Sequence, residues 1–329
     1  MLRRGGLPCH PQPPEPHAIV DGSPARQGYR GPRKMKPKPR ALVPRAIAPR
    51  RAAAVLGAMV GLVLAAAAVA GEASPWVEGH HSRARLVAGG ADGAARLAAI
   101  EIVLDPGFKT YWRSPGESGL PPAFDWAWSE NLSAAEVLWP APHRFEDAGG
   151  VAYGYKDRVL LPVRVSPSDA GKPLRLALKL DYGVCKDICI PAQASLALAL
   201  RPGEAGPPAP ELAAALARVP RPQALGAPGD LSILAVDPET VDGKPALAVA
   251  VRAPPGADLF VEAPAGWYVA AGRLQPLPAA SGGADGRFLV EIFERPKDAA
   301  GTLDLRLTLA AGERAVETAA RLDTARLPR

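Results

Sequence analysis

Apolar and polar positions alternate along residues 174–182. Leu174, Leu176, Leu178, Leu180 and Tyr182 interleave with Arg175, Ala177, Lys179 and Asp181. A period of two marks a strand with one face buried and the other wet. The pattern resumes at Leu196, Leu198 and Leu200, which are separated by small residues. Further strands are predicted at 97–105, 132–139 and 158–166. Turn signals punctuate them at Asp105-Pro-Gly107, Ser114-Pro-Gly116, Pro121-Pro122 and Ala148-Gly-Gly150. No long amphipathic helix shows in this half of the chain. Many short strands divided by Gly/Pro turns predict an all-β fold, a β-sandwich.

The alternation breaks at residue 202 with Pro-Gly-Glu-Ala-Gly-Pro-Pro-Ala-Pro210, and the Ala/Leu stretch at 211–219 predicts one short helix. Strand signals return at 259–261, at 288–293 and at Leu303, Leu305, Leu307 and Leu309. The expected organisation is therefore an extension plus leader over 1–73, a β-sandwich over 74–205, a semi-rigid Pro-rich linker over 206–230 and a second sandwich over 231–329. No sequence repeat of 20–50 residues relates the halves.

The formal charge of +6 changes meaning once it is placed along the chain. Residues 1–73 hold twelve Lys/Arg against three Asp/Glu, which leaves 27 basic and 30 acidic residues in 74–329. The basic balance belongs to the leader, so the composition gives no support for nucleic-acid binding. Arg50-Arg51 precedes the apolar run 52–70, and both Ala68-Val-Ala70 and Gly71-Glu-Ala73 offer small residues for cleavage. This is the order of a secretory signal. An uncleaved run would instead be an N-terminal membrane anchor. Residues 1–49, rich in Pro and Arg, read as disordered. A start at Met35 would make Met35-Lys-Pro-Lys-Pro-Arg40 an ordinary n-region and leave Cys9 untranslated. The expected location is the periplasm, where disulfides persist.

Cys185 and Cys189 are then the only thiols of the exported part, in Asp181-Tyr-Gly-Val-Cys-Lys-Asp-Ile-Cys-Ile-Pro191. If residues 186–188 reverse the chain, the two cysteines oppose each other at a hairpin mouth, within reach of a disulfide. Closing so short a loop constrains the unfolded chain only modestly. A bridge at a hairpin mouth also stays open to another protein's thiolate. Thiol–disulfide exchange and a structural staple both remain open on the residues alone. Metal binding would need ligands the sequence does not supply beside a C-x3-C pair: His143 is distant, and His80-His81 fall in the start of the exported chain. No Gly-rich phosphate loop, Ser/His/Asp pattern or cofactor motif appears.

The surrounding motifs narrow the choice. Tyr111-Trp-Arg-Ser-Pro-Gly-Glu-Ser-Gly-Leu-Pro-Pro122 is followed by Trp139-Pro-Ala-Pro142, then Tyr153-Gly-Tyr155, then Cys185-x3-Cys189-Ile-Pro191. In this order they resemble the periplasmic N-terminal domain of the DsbD family of thiol:disulfide interchange proteins, also called protein-disulfide reductases. The resemblance spans about 80–205, with a weaker likeness of 228–329 to a second β-domain of some members. It implies an immunoglobulin-like sandwich, and so two such domains in all. It also implies electron exchange with periplasmic thiol–disulfide proteins and a place beside cytochrome c biogenesis. By order of motifs, Cys189 matches the cysteine that bonds the partner and Cys185 its resolving mate. Residues 145–150 match a loop that caps the cysteines, with Phe145 as its aromatic lid, and Tyr111 and Tyr182 are the expected flanking residues. Typical members continue into a multi-helix membrane domain and a thioredoxin-like domain carrying C-x-x-C. The sequence to Arg329 shows neither, so a separate membrane electron donor is expected. The rival expectation is a non-catalytic binding or adaptor protein with a structural disulfide.

Overall fold

The computed structural model describes residues 72–329 apart from 94, 118, 148–149, 203–205, 279–282, 298–300 and 329. The expected leader, anchor and start site, with Cys9, lie almost wholly outside the described residues. From Glu72 onward the described residues are mostly strand, paired antiparallel apart from one short parallel contact.

Two sheets face each other in the first half. One orders β1 (Val77–Gly79), β2 (Ser82–Asp92), β3 (Ala95–Leu104), β9 (Arg158–Pro167) and β6 (Leu132–Val137). The other orders β11 (Cys189–Leu200), β10 (Leu174–Cys185), β4 (Lys109–Gly116), β8 (Gly150–Lys156) and β7 (His143–Asp147), with β5 (Ala123–Asp125) also pairing β10. The predicted alternation explains the longest hairpin. Leu174, Leu176, Leu178, Leu180 and Tyr182 pair with Leu200, Leu198, Leu196, Ala194 and Ala192, and all ten are buried in one core. Each such leucine contributes roughly 1.5–3 kcal/mol of burial. The intervening residues of both strands face outward.

The second half repeats the plan with one sheet of β12 (Arg221–Pro222), β20 (Arg314–Asp323), β19 (Thr302–Ala311) and β15 (Asp258–Glu262). Its other sheet holds β13 (Ser232–Val241), β14 (Lys244–Arg252), β18 (Gly286–Glu294) and β16 (Tyr268–Ala271), with β17 (Gln275–Pro276) on β18. Its core is built from Leu247, Val249, Val251, Phe288, Leu303, Leu305, Leu307 and Leu309 among others. The architecture is all-β and of immunoglobulin-like sandwich type.

The segment expected as a linker is built into both sandwiches. Helix α1 (Pro210–Ala217) starts on Pro210, whose fixed φ suits a first helical turn. It buries Leu212, and the methyl group Leu212 Cδ2 would lie 2.6 Å from a Cβ at Gly89, so only glycine lets this helix sit against β2. Farther on, Arg221–Pro222 pairs in parallel with β20.

The two cores meet at a seam. Between Tyr111 and Gly116 the pairing of β4 with β8 slips, and residues 112–115 leave the ladder. Trp112, fully buried, sits 5.7 Å from the ring of Phe260, which also meets Tyr153 edge-on at 5.0 Å. Beside them Arg113 forks onto Glu262, Nη2 to Oε1 at 2.7 Å, and also pairs with Glu317. Burial works against the charge of Arg113, but its bonds and attraction to Glu262 and Glu317 outweigh it and raise the pKa above the ordinary guanidinium value.

Candidate functional site

β10 ends on Cys185 and β11 begins on Cys189, and the two are direct partners in the hairpin register. Lys186, Asp187 and Ile188 make the reversal, with the Lys186 N–H donating to the Ile188 carbonyl at 3.4 Å. The cysteines are joined in a disulfide with their Cα atoms 4.2 Å apart. Their exposure differs sharply. Cys185 is 1% exposed, whereas Cys189 is half-buried.

Strand register shows which side chains share the face of this disulfide, because directly paired residues point to the same side and neighbours in sequence to opposite sides. Lys109 on β4 is paired with Cys185 on one flank and with Lys156 of β8 on the other. Two residues along, Tyr111 lies on that same face. Its ring passes between two glycines: a Cβ on Gly119 would fall 2.6 Å from Tyr111 Cδ1, and one on Gly183 would fall 3.0 Å from Cδ2. Gly183 and Gly119 thus leave the slot the ring fills. Tyr111 is 2% exposed, and its hydroxyl lies 2.9 Å from Cys189 Sγ. A disulfide sulfur carries no hydrogen, so the tyrosine O–H donates. Ala152 closes the cluster of Tyr111, Cys185 and Cys189.

Phe145 on β7 is the partner of Ala152 and therefore belongs to the same face. The ammonium groups of Lys156 and Lys109 lie 4.7 and 5.8 Å from the centre of its ring. Such cation–π contacts are worth about 0.5–1 kcal/mol at exposed sites and more when dry. Lys109 is itself only 8% exposed, so its charge is held in the protein beside the cysteines. Positive charge near a thiol favours the thiolate, the reactive form in exchange.

Of the residues expected from sequence, Cys185, Cys189, Tyr111 and Phe145 come together on this face. Tyr182 does not. One step out of phase with Cys185, it points into the sandwich, where its hydroxyl lies 2.8 Å from Ser82 Oγ and burial raises its pKa. Trp112 faces inward by the same alternation. Of residues 145–150, the placement of 148–149 lies outside the described residues. His81 pairs with Asp105 at 2.7 Å on the surface and stacks on Phe108 at 4.2 Å. Lys109, Lys156 and the two glycines were not legible as site residues, although the Lys109-x-Tyr111 spacing within a strand does put both on one face. Among the described residues no three His, Cys, Asp or Glu side chains gather as metal ligands would, and no helix is long and apolar enough to cross a membrane.

A disulfide beside the turn of a hairpin on an immunoglobulin-like sandwich, with one cysteine buried and the other half-buried, defines a class of redox-capable β-domain. Residues 82–201 match the model of the family described as Thiol:disulfide interchange protein DsbD, N-terminal, which bears out the resemblance read from the motifs. The fold is similar to the crystal structure of the N-terminal periplasmic domain of ScsB from Proteus mirabilis. The TM-score is 0.56 and the identity 23%, over 77% of this chain and 98% of that one. A share that large extends beyond the first sandwich. No curated protein matches the chain.

Proposed function

We propose that the first sandwich is a periplasmic thiol–disulfide exchange module acting through Cys185 and Cys189. The observation that carries the reading is the asymmetry of the pair: Cys189 is reachable and bonded by Tyr111, while Cys185 is 1% exposed. In one direction a partner thiolate attacks Cys189 Sγ, the Cys185–Cys189 bond breaks, and Cys185 leaves as a thiolate. The partner's second thiolate then attacks the partner sulfur of this mixed disulfide and releases Cys189. Two electrons move to this protein, and the partner becomes oxidised. In the other direction the Cys189 thiolate opens a partner's disulfide, and Cys185 resolves the mixed disulfide by re-forming the internal bond. Phe145, gripped by Lys109 and Lys156, serves as a lid over the pair.

The periplasmic location draws support from the family match and from the predicted export signal. The partners are other periplasmic thiol–disulfide proteins. The deep burial of Cys185 favours one rival, a structural disulfide in a non-catalytic adaptor. Equilibration of the purified protein with glutathione buffers of set ratio, followed by alkylation, separates the two. An exchange module comes to equilibrium within the range of known exchange proteins, roughly −120 to −270 mV. A bond that stays oxidised below about −300 mV is a staple.

A further inference from the structure

The second sandwich contains no cysteine, and the exchange chemistry leaves it without a task. Besides Trp112 and Arg113 of β4, its contacts fall on the β7–β8 hairpin that carries the lid. Arg144, next to Phe145 on β7, points across the seam, and its Nη1 donates to the Ala271 carbonyl at 2.7 Å. On the other side of Phe145, Glu146 accepts from Arg273 Nη2 at 2.8 Å and from Arg144 Nε at 2.9 Å. Both residues flanking the lid are thus tied to the same edge of the second sandwich. Glu117 ties in the start of β8. Its Oε2 accepts from the Val151 N–H at 3.4 Å, and the same carboxylate acts on the hydroxyl of Tyr268 on β16. Burial and then the Glu117 carboxylate push the Tyr268 hydroxyl up to about 12. Tyr153, in the middle of β8, packs edge-on against Phe260.

We infer that the second sandwich is a positioning domain for the lid: Ala271, Arg273 and Tyr268 hold the β7–β8 hairpin so that Phe145 covers the cysteine pair. Access to Cys189 is then set by the seam between the sandwiches. The inference rests on the lid reading of Phe145 and adds to it the source of the lid's restraint. Arg144, Arg273 and Tyr268 are positioning residues, since none of them touches the sulfurs.

The experiment uses the full chain with Cys185→Ala, which leaves one thiol in the exported part, and measures the rate of Cys189 alkylation by iodoacetamide across pH. It is run with and without Arg144→Met plus Arg273→Ala, in both the Phe145 and Phe145→Ala backgrounds. In the Phe145 background, loss of these bonds should speed alkylation about threefold to tenfold, the scale of one or two net hydrogen bonds. The factor should be the same at every pH, because access changes and the thiol's own pKa does not. Arg144→Lys should restore part of the slow rate. In the Phe145→Ala background the same substitutions should add little, because a lid that is gone cannot be released. Unchanged rates for the arginine variants, with Phe145→Ala fast, would overturn this inference and leave the lid reading standing. So would an undiminished arginine effect in the Phe145→Ala background. A Phe145→Ala rate equal to that of the parent would remove the lid reading and this inference with it. Circular dichroism and thermal melting of each variant separate seam loosening from general unfolding.

Discussion

Tyr111→Phe removes one oxygen and keeps the ring that fills the slot between Gly119 and Gly183, so the substitution isolates the bond to Cys189. In the oxidised protein the hydroxyl donates to a disulfide sulfur 2.9 Å away, a weak bond of small consequence. On reduction the same hydroxyl faces a thiolate. A hydrogen bond to a charged acceptor contributes about 1.5–3 kcal/mol net, and sulfur as a soft acceptor belongs near the low end. About 1.5 kcal/mol is roughly one pKa unit, so the Cys189 thiol of Tyr111→Phe should titrate about one unit higher. The reduced form loses the same stabilisation at a pH above the thiol's pKa, which makes the couple more reducing by about 30 mV. The first number is read from the pH dependence of alkylation in the Cys185→Ala background, with thiolate absorbance as a check. The second comes from glutathione equilibration of the two-cysteine protein. An unchanged thiol pKa in a properly folded Tyr111→Phe protein would refute the reasoning. The hydroxyl would then be a packing feature of the oxidised state only.

Two further outcomes follow from the same contacts. Arg113→Met strips Glu262 and Glu317 of a shared partner at a seam where the Arg113 side chain is 19% exposed. The loss should fall between that of a surface pair and that of a buried one, about 2 kcal/mol in urea unfolding of the full chain, and an unchanged midpoint would show the seam to be electrostatically idle. N-terminal sequencing of exported material should begin at Gly71, after Ala68-Val-Ala70. The Ala88 N–H donates to the Glu72 carbonyl at 2.7 Å and Ala73 bridges to Val87, so cleavage after Ala73 would strip both from β2. A start at Ser74, or recovery only from membranes with the run 52–70 retained, would contradict this.

Much of the first sandwich was visible in period-two alternation, because a half-buried sheet demands it. The strand from Leu174 to Tyr182 announces both its own inward face and, by extrapolation, the outward position of Cys185. The same rule keeps Tyr182, three residues before Cys185, in the core and away from the disulfide. It also separates the adjacent aromatics Tyr111 and Trp112, outward and inward. The slip of register after Tyr111 was not legible. Trp112, Arg113, Ser114 and Pro115 have no periodicity of their own, and what draws them off the ladder is Phe260 and Glu262, about 150 residues away. The docking of the linker was hidden for a like reason, since Leu212 reads as one apolar residue in an Ala-rich stretch until its slot beside Gly89 is seen. The lysines beside the cysteines carry no sequence signal as site residues. An isolated lysine in a strand reads as a solvated one, and only the pairing of Lys109 with Cys185 and Lys156 reveals the positive face.

The central claim is that this disulfide opens to other proteins through Cys189, and trapping in the cell tests it most directly. Cys185→Ala removes the resolving sulfur, so a mixed disulfide formed at Cys189 has no internal route of escape. Periplasmic extracts from cells carrying this variant, acid-quenched and run on non-reducing gels, should show high-mass bands that contain this protein and vanish with reductant. Cys189→Ala should show few, because the remaining sulfur is 1% exposed. Bands in the Cys189→Ala variant alone would reverse the roles of the two sulfurs. Bands in neither variant, with the wild-type disulfide intact under strong reductant, would contradict the account and leave a structural staple.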